Sequence, residues 1–376
     1  MPPPEDQRMD RFFHLSNVLG GEVVQAVWFE RPEQLHPAFG SESYPTFIRG
    51  AFRYHWFLAW RYTGILRRFH VFWFFISKTL ELNKKNKIDI IVAYSHMTTG
   101  LIGVLLKYLT GARLIIEIVT SPHLASLVER PVPTLGDRLH KFYSDICLHI
   151  SGSLCDCLHL LFPTQLDRYP LLRNAYKESF HEFVSISRVP RRNADTESPY
   201  VFLVGAPWYL KGVDLLIAAF RRIAADYPNL RLLVQGHYEG DPKLLALAEG
   251  CPSIEILKAV PNPLTLERMS RATIFALPSR CEGLPRVVIE AMASGLPTIG
   301  SDVGGIPTLI RNGVNGFVVP SGDVDQLEAA LRSLLDDPGL ADRMGEISHE
   351  IAHSQLTEEI YVQRFRQMVD RTLARN

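Results

Sequence analysis

Two glutamates lie close together in a stretch that is rich in glycine, proline and small residues. Glu282 and Glu290 have seven residues between them in SRCEGLPRVVIEAMASGLPTIGSDVGG, residues 279–305. A strand predicted at 273–279 ends just before Glu282, and Pro285 suits the first position of a helix. Helical side chains tilt towards the amino terminus, so Glu290 can reach back to the strand end. The spacing therefore predicts two carboxylates at one site.

The first amides of the same helix add an anion site between these carboxylates. N–H groups near 286–288 have no partner inside a helix and lie at the positive end of its dipole. Amides in this position bind phosphate, so the pattern suits a ligand with phosphates and sugar hydroxyls. The alternative is that Glu290 is a solvated helix residue. Its apolar neighbours at 287–289 disfavour this, because an unpartnered carboxylate among them is costly.

A second stretch, VGAPWYLKGVDLLIAAF at 204–220, places a lysine where a strand turns into a helix. The strand ends at Gly205, and Lys211-Gly212 opens the helix. A lysine beside free helix amides can hold a phosphate. The alternative is a lysine that only faces solvent, and Gly212 favours the functional interpretation.

A third stretch, GSDVGGIPTLIRNGVNGFVVPSGD at 300–323, contains Gly304-Gly305. Two glycines allow the backbone to come close to a ligand, although they are also typical of a plain turn. The stretch is no G-x-G-x-x-G dinucleotide motif. Asp323-Val324-Asp325 could hold a divalent metal, but it opens a predicted helix where Asp is a normal cap. We therefore expect no metal.

Strands alternate with helices around these motifs. The strands are predicted at 200–205, 230–236, 254–260, 273–279 and 296–302, and the helices at 212–226, 241–249, 263–271, 285–294 and 323–336. This alternation predicts a parallel sheet with helices on both faces and ligands at the carboxyl ends of the strands.

The first half is less regular and ends in a polar segment, 187–199, that is typical of a linker. Its clearest unit is a strand at 87–95, a helix at 98–109 and a strand at 112–121. Further strands are predicted at 158–163 and 180–187, and two more helices at 338–373.

Length and composition limit the number of domains and the kinds of partner that the chain can have. With 376 residues we expect two domains, and with 40 basic and 40 acidic residues we expect no nucleic-acid partner. Five cysteines, an odd and sparse set, indicate a reduced, cytoplasmic setting. No signal peptide or spanning segment stands out.

Residues 52–87 contain eight Lys or Arg, one Glu and three Trp. Aromatic residues interleaved with cations suit a bilayer surface with anionic lipid. The alternative, a pair of core helices with solvated cations, is also consistent with the pattern.

Together the three stretches resemble the retaining glycosyltransferases of the family that includes sucrose synthases, bacterial mannosyltransferases and glycogen synthase relatives, glycosyltransferase family four (group 1). The resemblance is strong over roughly 200–335, and the E-x7-E pattern is its most specific part. It implies the GT-B fold, an α/β fold of two facing Rossmann-like domains with parallel sheets and a cleft between them. The expected domains are an acceptor domain at 1–188, a nucleotide-sugar domain at 199–353 and a helix at 354–376 that crosses back.

The resemblance also implies roles for single residues. Glu282 would contact hydroxyls of the donor sugar, Glu290 would bind the ribose, and Lys211 would hold the diphosphate. The amides around Leu284, Arg286 and Val287 would complete the phosphate pocket, next to Gly205 and Gly212. His123, just past a strand end in EIVTSPHL, would face the donor sugar, with a structural role as the alternative. His96, after IVAYS, is a weaker candidate.

Some positions depart from the family pattern. Ala206 stands where an arginine often forms a second phosphate clamp, and Thr308 ends the stretch that usually reads G-G-x-P-E. No strand is predicted at the start, MPPPEDQR, so we expect the first strand of the domain to be missing or the start to be truncated.

The implied reaction moves a hexose from a UDP- or GDP-sugar to a hydroxyl of a glycan or lipid-linked acceptor, with retained configuration and no cofactor. Surface polysaccharide or glycolipid synthesis would be its setting. Two other functions remain open: a nucleotide-sugar epimerase with the same fold, and a sugar-nucleotide-binding protein without activity.

Overall fold

The computed structural model describes most of the chain. The described residues are 19–27, 46–49, 51–58, 64–118, 134–173, 175–181, 184–193, 199–238 and 241–375.

The first half forms two small sheets. Its elements in chain order are β1 (Gly21–Val27), β2 (Thr46–Arg49), β3 (Phe52–Leu58), α1 (Gly64–Lys85), β4 (Ile90–Tyr94), α2 (Thr98–Thr110), β5 (Arg113–Ile118), α3 (Leu135–Leu154), β6 (Cys157–Leu160) and β7 (Lys177–Ser179). One sheet has the order β1-β3-β2, with β1 and β3 parallel and β2 antiparallel to β3. The other, the N-terminal sheet, has the order β4-β5-β6-β7 and is parallel throughout.

The unit β4-α2-β5 confirms the strand, helix and strand predicted at 87–121. The strand predicted at 180–187 is wrong, because β7 occupies 177–179 and residues 186–188 form a turn of 3-10 helix. The apolar side chains that suggested a strand, Phe180 and Ile186, are buried by packing rather than by sheet pairing. β7 itself is a short polar edge strand without an apolar run.

The beginning of the chain also differs from expectation. A strand is present at 21–27, although none was predicted near the start. Residues 52–58 form β3, where buried Phe52 and Tyr54 alternate with exposed Arg53. In the described part of the segment 52–87, residues 52–58 form a strand and residues 64–85 form one helix, in place of a pair of helices.

The second half forms one parallel sheet of six strands, the C-terminal sheet. Its elements are β8 (Tyr200–Val204), α4 (Val213–Ile223), β9 (Arg231–Gly236), α5 (Pro242–Ala248), β10 (Ile254–Lys258), α6 (Asn262–Ser270), β11 (Ile274–Leu277), α7 (Arg286–Ser294), β12 (Thr298–Ser301), α8 (Ile306–Leu309), β13 (Gly316–Val319), α9 (Val324–Asp336), α10 (Pro338–Gln355) and α11 (Glu358–Ala374). Every strand and helix predicted for 200–302 is present, within a few residues at each end. The helix α8 and the strand β13, which follow Gly304-Gly305, were not predicted.

The strand order of the C-terminal sheet places two loops side by side. The order is β10-β9-β8-β11-β12-β13, so that the chain turns to one side after β8 and to the other after β11. A parallel sheet binds its ligands where the strand order reverses, outside the carboxyl ends of the strands. In this sheet that point lies between the loop after β8 and the loop after β11.

Helix α11 follows the C-terminal sheet in sequence but packs elsewhere. Its buried side chains Tyr361 and Phe365 lie in one cluster with Ile115 of β5, Cys157 of β6 and Phe180. The last helix therefore covers the N-terminal sheet. The domain limits at 188, 199 and 353 remain predictions.

Candidate functional site

Lys211 and Glu282 meet at the reversal point of the C-terminal sheet. The Lys211 Nζ lies 2.7 Å from the Glu282 Oε1, and the Ser279 hydroxyl donates to the same oxygen over 2.7 Å. The Glu282 carboxyl is buried, while the lysine is partly accessible. The two residues predicted to act together, 71 positions apart in the chain, are thus in direct contact.

Arg280 holds the two loops against each other. Its guanidinium forms two hydrogen bonds of 2.7 Å with the Asp214 carboxylate and one of 2.7 Å with the Tyr209 carbonyl. It also lies 4.0 Å above the Tyr209 ring, and the Arg280 N–H donates to the Leu210 carbonyl. The loop that carries Lys211 is therefore anchored to the loop that carries Glu282. Sequence reasoning missed Arg280, because its partners lie more than 60 residues away.

Glycines allow both loops to come close to their neighbours. Gly212 has a φ of 68°, and a Cβ there would lie 2.0 Å from the Pro278 carbonyl oxygen. Gly205 has a φ of 150°, and a Cβ would lie 3.2 Å from the Lys211 side chain. Only residues without a side chain fit these places, and this explains why they flank the lysine.

Gly304 and Gly305 also permit a close approach, but what they approach is the backbone of the loop that carries Glu282. Gly304 has a φ of 56°, and its Cβ would lie 2.3 Å from the Glu282 carbonyl oxygen. The Gly305 N–H donates to the Gly283 carbonyl over 2.7 Å. The expected approach to a ligand is untested, but the glycine pair fixes the backbone on which Glu282 is carried.

Glu290 lies on the inner side of α7. It is 7% exposed, and the Asn262 amide donates to its Oε1 over 3.3 Å. Burial raises the pKa of the Glu290 carboxyl above the ordinary 4.5, and Arg286 and Asn262 counteract this only in part. The low solvent exposure excludes the interpretation of Glu290 as a solvated helix residue.

The start of α7 is placed as predicted. Pro285 stands just before the first residue, Arg286, and no side chain caps the first turn. The Val288 N–H donates to the Pro285 carbonyl, so this amide already has a partner. Of the amides predicted to bind phosphate, this leaves those around Leu284, Arg286 and Val287.

A residue of the first half reaches this region. The Thr308 hydroxyl donates to the Gly305 carbonyl over 2.7 Å, and the His181 Nε2 lies 3.0 Å from the same hydroxyl oxygen. Burial lowers the pKa of His181 below the ordinary 6.5, and Arg364 contributes in the same direction. The ring is therefore neutral near pH 7 and donates from Nε2. Sequence reasoning missed this contact between positions 127 apart.

The remaining residues predicted from the sequence are two histidines and an aspartate, and they lie away from the contact of Lys211 with Glu282 or outside the described residues. His123 lies outside the described residues. His96 is buried, its Nε2 lies 2.8 Å from the Ser144 hydroxyl, and burial lowers its pKa to about 4. It connects the segment before α2 to α3. Asp323 accepts a hydrogen bond from the Gln326 N–H and is the predicted helix cap.

The arrangement can hold an anion and hydroxyl groups at the same time. A cation and the start of a helix lie at the reversal point, and two carboxylates lie within the same loop and helix. Phosphate oxygens fit the lysine and the amides, and hydroxyls fit carboxylate oxygens.

Solved structures show the fold. Sucrose-phosphate synthase from Thermosynechococcus elongatus superimposes with a TM-score of 0.79 at 18% identity. The match covers 98% of this chain and 93% of that protein. Anabaena HepE in complex with UDP-glucose has a TM-score of 0.63 at 15% identity, over 79% of this chain and 82% of its own. The chain has the GT-B fold, as predicted.

The sequence comparison concerns mainly the second half. Residues 188–350 match the family model of glycosyl transferases group 1. An uncharacterized glycosyltransferase of Haemophilus influenzae is 30% identical over 170 residues, which cover 44% of this chain and 48% of that protein. The chain thus spans about half the length of that curated relative. The family match supports a glycosyltransferase, the coarser part of the predicted activity.

Proposed function

We propose that this protein transfers a hexose from a nucleotide-diphosphate sugar to a hydroxyl group of a glycan or of a lipid-linked sugar. The observation that carries the proposal is the contact of Lys211 with Glu282 at the reversal point, with Glu290 on the adjoining helix. A nucleotide sugar presents a diphosphate flanked by two sets of hydroxyls, and a lysine with two carboxylates offers a partner for each of these groups.

Each residue has a role in the proposed complex. Lys211 and the first amides of α7 bind the diphosphate, Glu282 binds hydroxyls of the donor sugar, and Glu290 binds the ribose. Arg286, at the first position of α7, adds positive charge next to Glu290. His123 is proposed to face the donor sugar from the first half.

The charge that develops in the reaction lies on the leaving diphosphate. A lysine and helix amides that are already in place lower the free energy of this charge without reorganisation. No carboxylate is assigned as a nucleophile, so we infer same-face attack, in which the leaving phosphate accepts the proton of the acceptor hydroxyl. This route retains the anomeric configuration, as the resemblance to family four implies.

We also propose the metal requirement of the reaction and its place in the cell. We expect transfer without a divalent metal, and therefore full activity in the presence of a chelator. We place the protein in the cytoplasm, peripheral to the inner face of a membrane, and the reaction in surface polysaccharide or glycolipid synthesis.

Incubation with a panel of UDP- and GDP-sugars, with and without a membrane extract as the source of acceptor, tests the activity. We expect nucleoside diphosphate release that depends on both donor and acceptor. An isomerised donor without acceptor would support the epimerase instead. Binding without turnover, unchanged in Glu282→Ala, would support the non-catalytic protein.

Two lysine variants localise the activity. Lys211→Ala should lower the transfer rate by about a hundred-fold or more, because one preorganised group at a developing charge contributes on this order. Lys243→Ala removes an exposed lysine near the start of α5 and is the matched control. Equal rates for the two variants would remove Lys211 from the site.

A further inference from the structure

Large hydrophobic side chains are exposed mainly on three helices of the first half. Among the described residues 19 such side chains are exposed, and 14 of them lie on α1, α2 and α3. Surface helices usually turn polar residues to solvent. A concentration of exposed apolar side chains marks an interaction surface.

Helix α3 carries the longest apolar stripe. Its members follow one another at intervals of three or four residues and lie on one side of the helix. They are Leu135, Leu139, Phe142, Ile146 and Ile150, with exposed fractions of 74, 59, 65, 42 and 45%. The opposite side, with Ser144, Leu148 and Ser151, is buried. The larger apolar side chains of α3 thus point outwards, along a helix about 30 Å long.

Helix α1 contributes a shorter stripe at its start. Leu66, Phe69 and Trp73 are 64, 63 and 61% exposed and are spaced by three and four residues. Helix α2 lies against both other helices. Ile102 of α2 clusters with Ile76 of α1, and His96, two residues before α2 begins, contacts Ser144 of α3. We call the two stripes together the apolar helical face.

The charges beside this face are positive. No acidic residue occurs in α1 before Glu81, and Arg68 and Arg138 are exposed. The acidic residues at the start and middle of α3 are already engaged. Asp137 caps the helix with Thr134, and Asp145 accepts hydrogen bonds from Lys141 and from the Tyr169 hydroxyl.

We propose that the apolar helical face docks onto the surface of a bilayer that contains anionic lipid. Its aliphatic and aromatic side chains would enter the boundary between headgroups and acyl chains, and the arginines would meet lipid phosphates. None of the helices in the described ranges has the length and apolar character needed to cross a bilayer.

The proposed membrane contact lies on the apolar helical face, which the folded chain forms, and not on the whole segment 52–87 that the sequence predicted. Residues 52–58 belong to β3, where Phe52, Tyr54 and His55 are buried, so we assign only α1 of the segment 52–87 to the membrane contact. α3, 70 residues further along the chain, supplies most of the surface. The docking does not depend on the donor site and goes beyond the proposed reaction.

Flotation of the full-length protein with vesicles tests this docking. The probes are vesicles of phosphatidylcholine alone and of phosphatidylcholine with phosphatidylglycerol, without any nucleotide sugar. We expect binding to the anionic vesicles. Leu139→Ser/Phe142→Ser/Ile146→Ser should weaken it by more than about ten-fold, because three buried apolar side chains are lost.

Two further variants separate the contributions. Leu171→Ser/Leu245→Ser/Leu373→Ser removes three exposed hydrophobic side chains outside the face and should bind as the wild type does. Arg68→Ala and Arg138→Ala should each weaken binding about five-fold at low salt, and less at high salt. Circular dichroism and the unfolding temperature confirm that each variant is folded.

Three results would overturn the docking. The first is a wild type that fails to float with anionic vesicles, and the second is a face variant that floats as well as the control variant. The third is a dimer in vesicle-free solution that the face variant converts to a monomer, since the face would then join two copies of this chain. None of them bears on sugar transfer, which is measured separately with donor and acceptor.

Discussion

Lys211 and Glu282 neutralise each other at a place where the carboxyl has little access to water. Removing only the lysine leaves a buried carboxylate that still accepts a hydrogen bond from the Ser279 hydroxyl but has lost its contact with the Lys211 cation. We expect Lys211→Met to lower the free energy of unfolding by about 1–3 kcal/mol. Lys211→Met/Glu282→Gln should cost less, because no buried carboxylate then loses its lysine. Urea unfolding of the single and double variants gives the coupling, and additive costs would contradict a direct interaction.

Glu290 is the residue at which stability and the proposed function oppose each other. Burial raises its pKa, so the folded state binds the proton more tightly than the unfolded state does. Its contribution to stability is therefore fully present below the unfolded pKa of 4.5 and is lost as the pH rises through the folded pKa. A carboxyl at this position therefore stabilises the fold less at pH 7 than at pH 4.

Glu290→Gln should raise the unfolding temperature at pH 7, because a neutral amide avoids this cost. We expect a shift of about 2–4 °C for each kcal/mol gained, and a smaller difference at pH 4. Thermal unfolding at the two pH values checks this, and Glu267→Gln, on an exposed part of α6, is the control. A lower unfolding temperature at pH 7 would mean that the carboxylate is stabilised where it lies.

At the scale of elements, the loop after β12 packs closely against the loop after β11. Gly304→Ala would place a Cβ 2.3 Å from the Glu282 carbonyl oxygen, whereas Gly313→Ala meets nothing within 4 Å. Both residues have a positive φ, so both variants carry the strain of a left-handed residue, about 1–2 kcal/mol. Gly304→Ala should cost about 1–3 kcal/mol more, from overpacking.

The difference between the free energies of unfolding of Gly304→Ala and Gly313→Ala gives the contribution of the close approach at Gly304. We also expect Gly304→Ala to weaken nucleotide binding, because the backbone of Glu282 must move, and Gly313→Ala to leave it unchanged. Equal stability and equal binding of the two variants would show that the loops can separate freely.

The elements of the C-terminal sheet could be predicted because their strands are short apolar runs, buried on both faces, with a helix after each. Ile274–Leu277 is such a run. The pairing of Lys211 with Glu282 followed from strand ends, which a parallel sheet brings to one edge. Arg280 and His181 could not be predicted, since their partners are set by tertiary packing. β7 has too few apolar residues to indicate a strand.

In the molecule as a whole, α11 connects the end of the chain to the N-terminal sheet. Phe365 is 3% exposed and packs among residues of β5 and β6. Phe365→Ala should lower the free energy of unfolding by about 3–5 kcal/mol. Leu373→Ala, at an exposed position of the same helix, should change it by less than about 0.5 kcal/mol.

Hydrogen exchange locates the effect of Phe365→Ala. Amides of β5 and β6 should exchange faster, while those of β8 and β11 should keep their protection. Faster exchange confined to the C-terminal sheet would contradict the packing of α11 described here.

The central claim is that a nucleotide diphosphate sugar lies along Lys211, Glu282 and Glu290. Calorimetric titration of UDP and GDP into the wild type, Lys211→Ala, Glu290→Ala and the control Lys243→Ala tests it most directly. We predict that the wild type and the control bind one of these nucleotides equally, and that Lys211→Ala and Glu290→Ala each bind it about ten- to a hundred-fold more weakly, as expected for a lost hydrogen bond to a charged group. Equal binding by all four proteins, or no binding by the wild type, would contradict the claim.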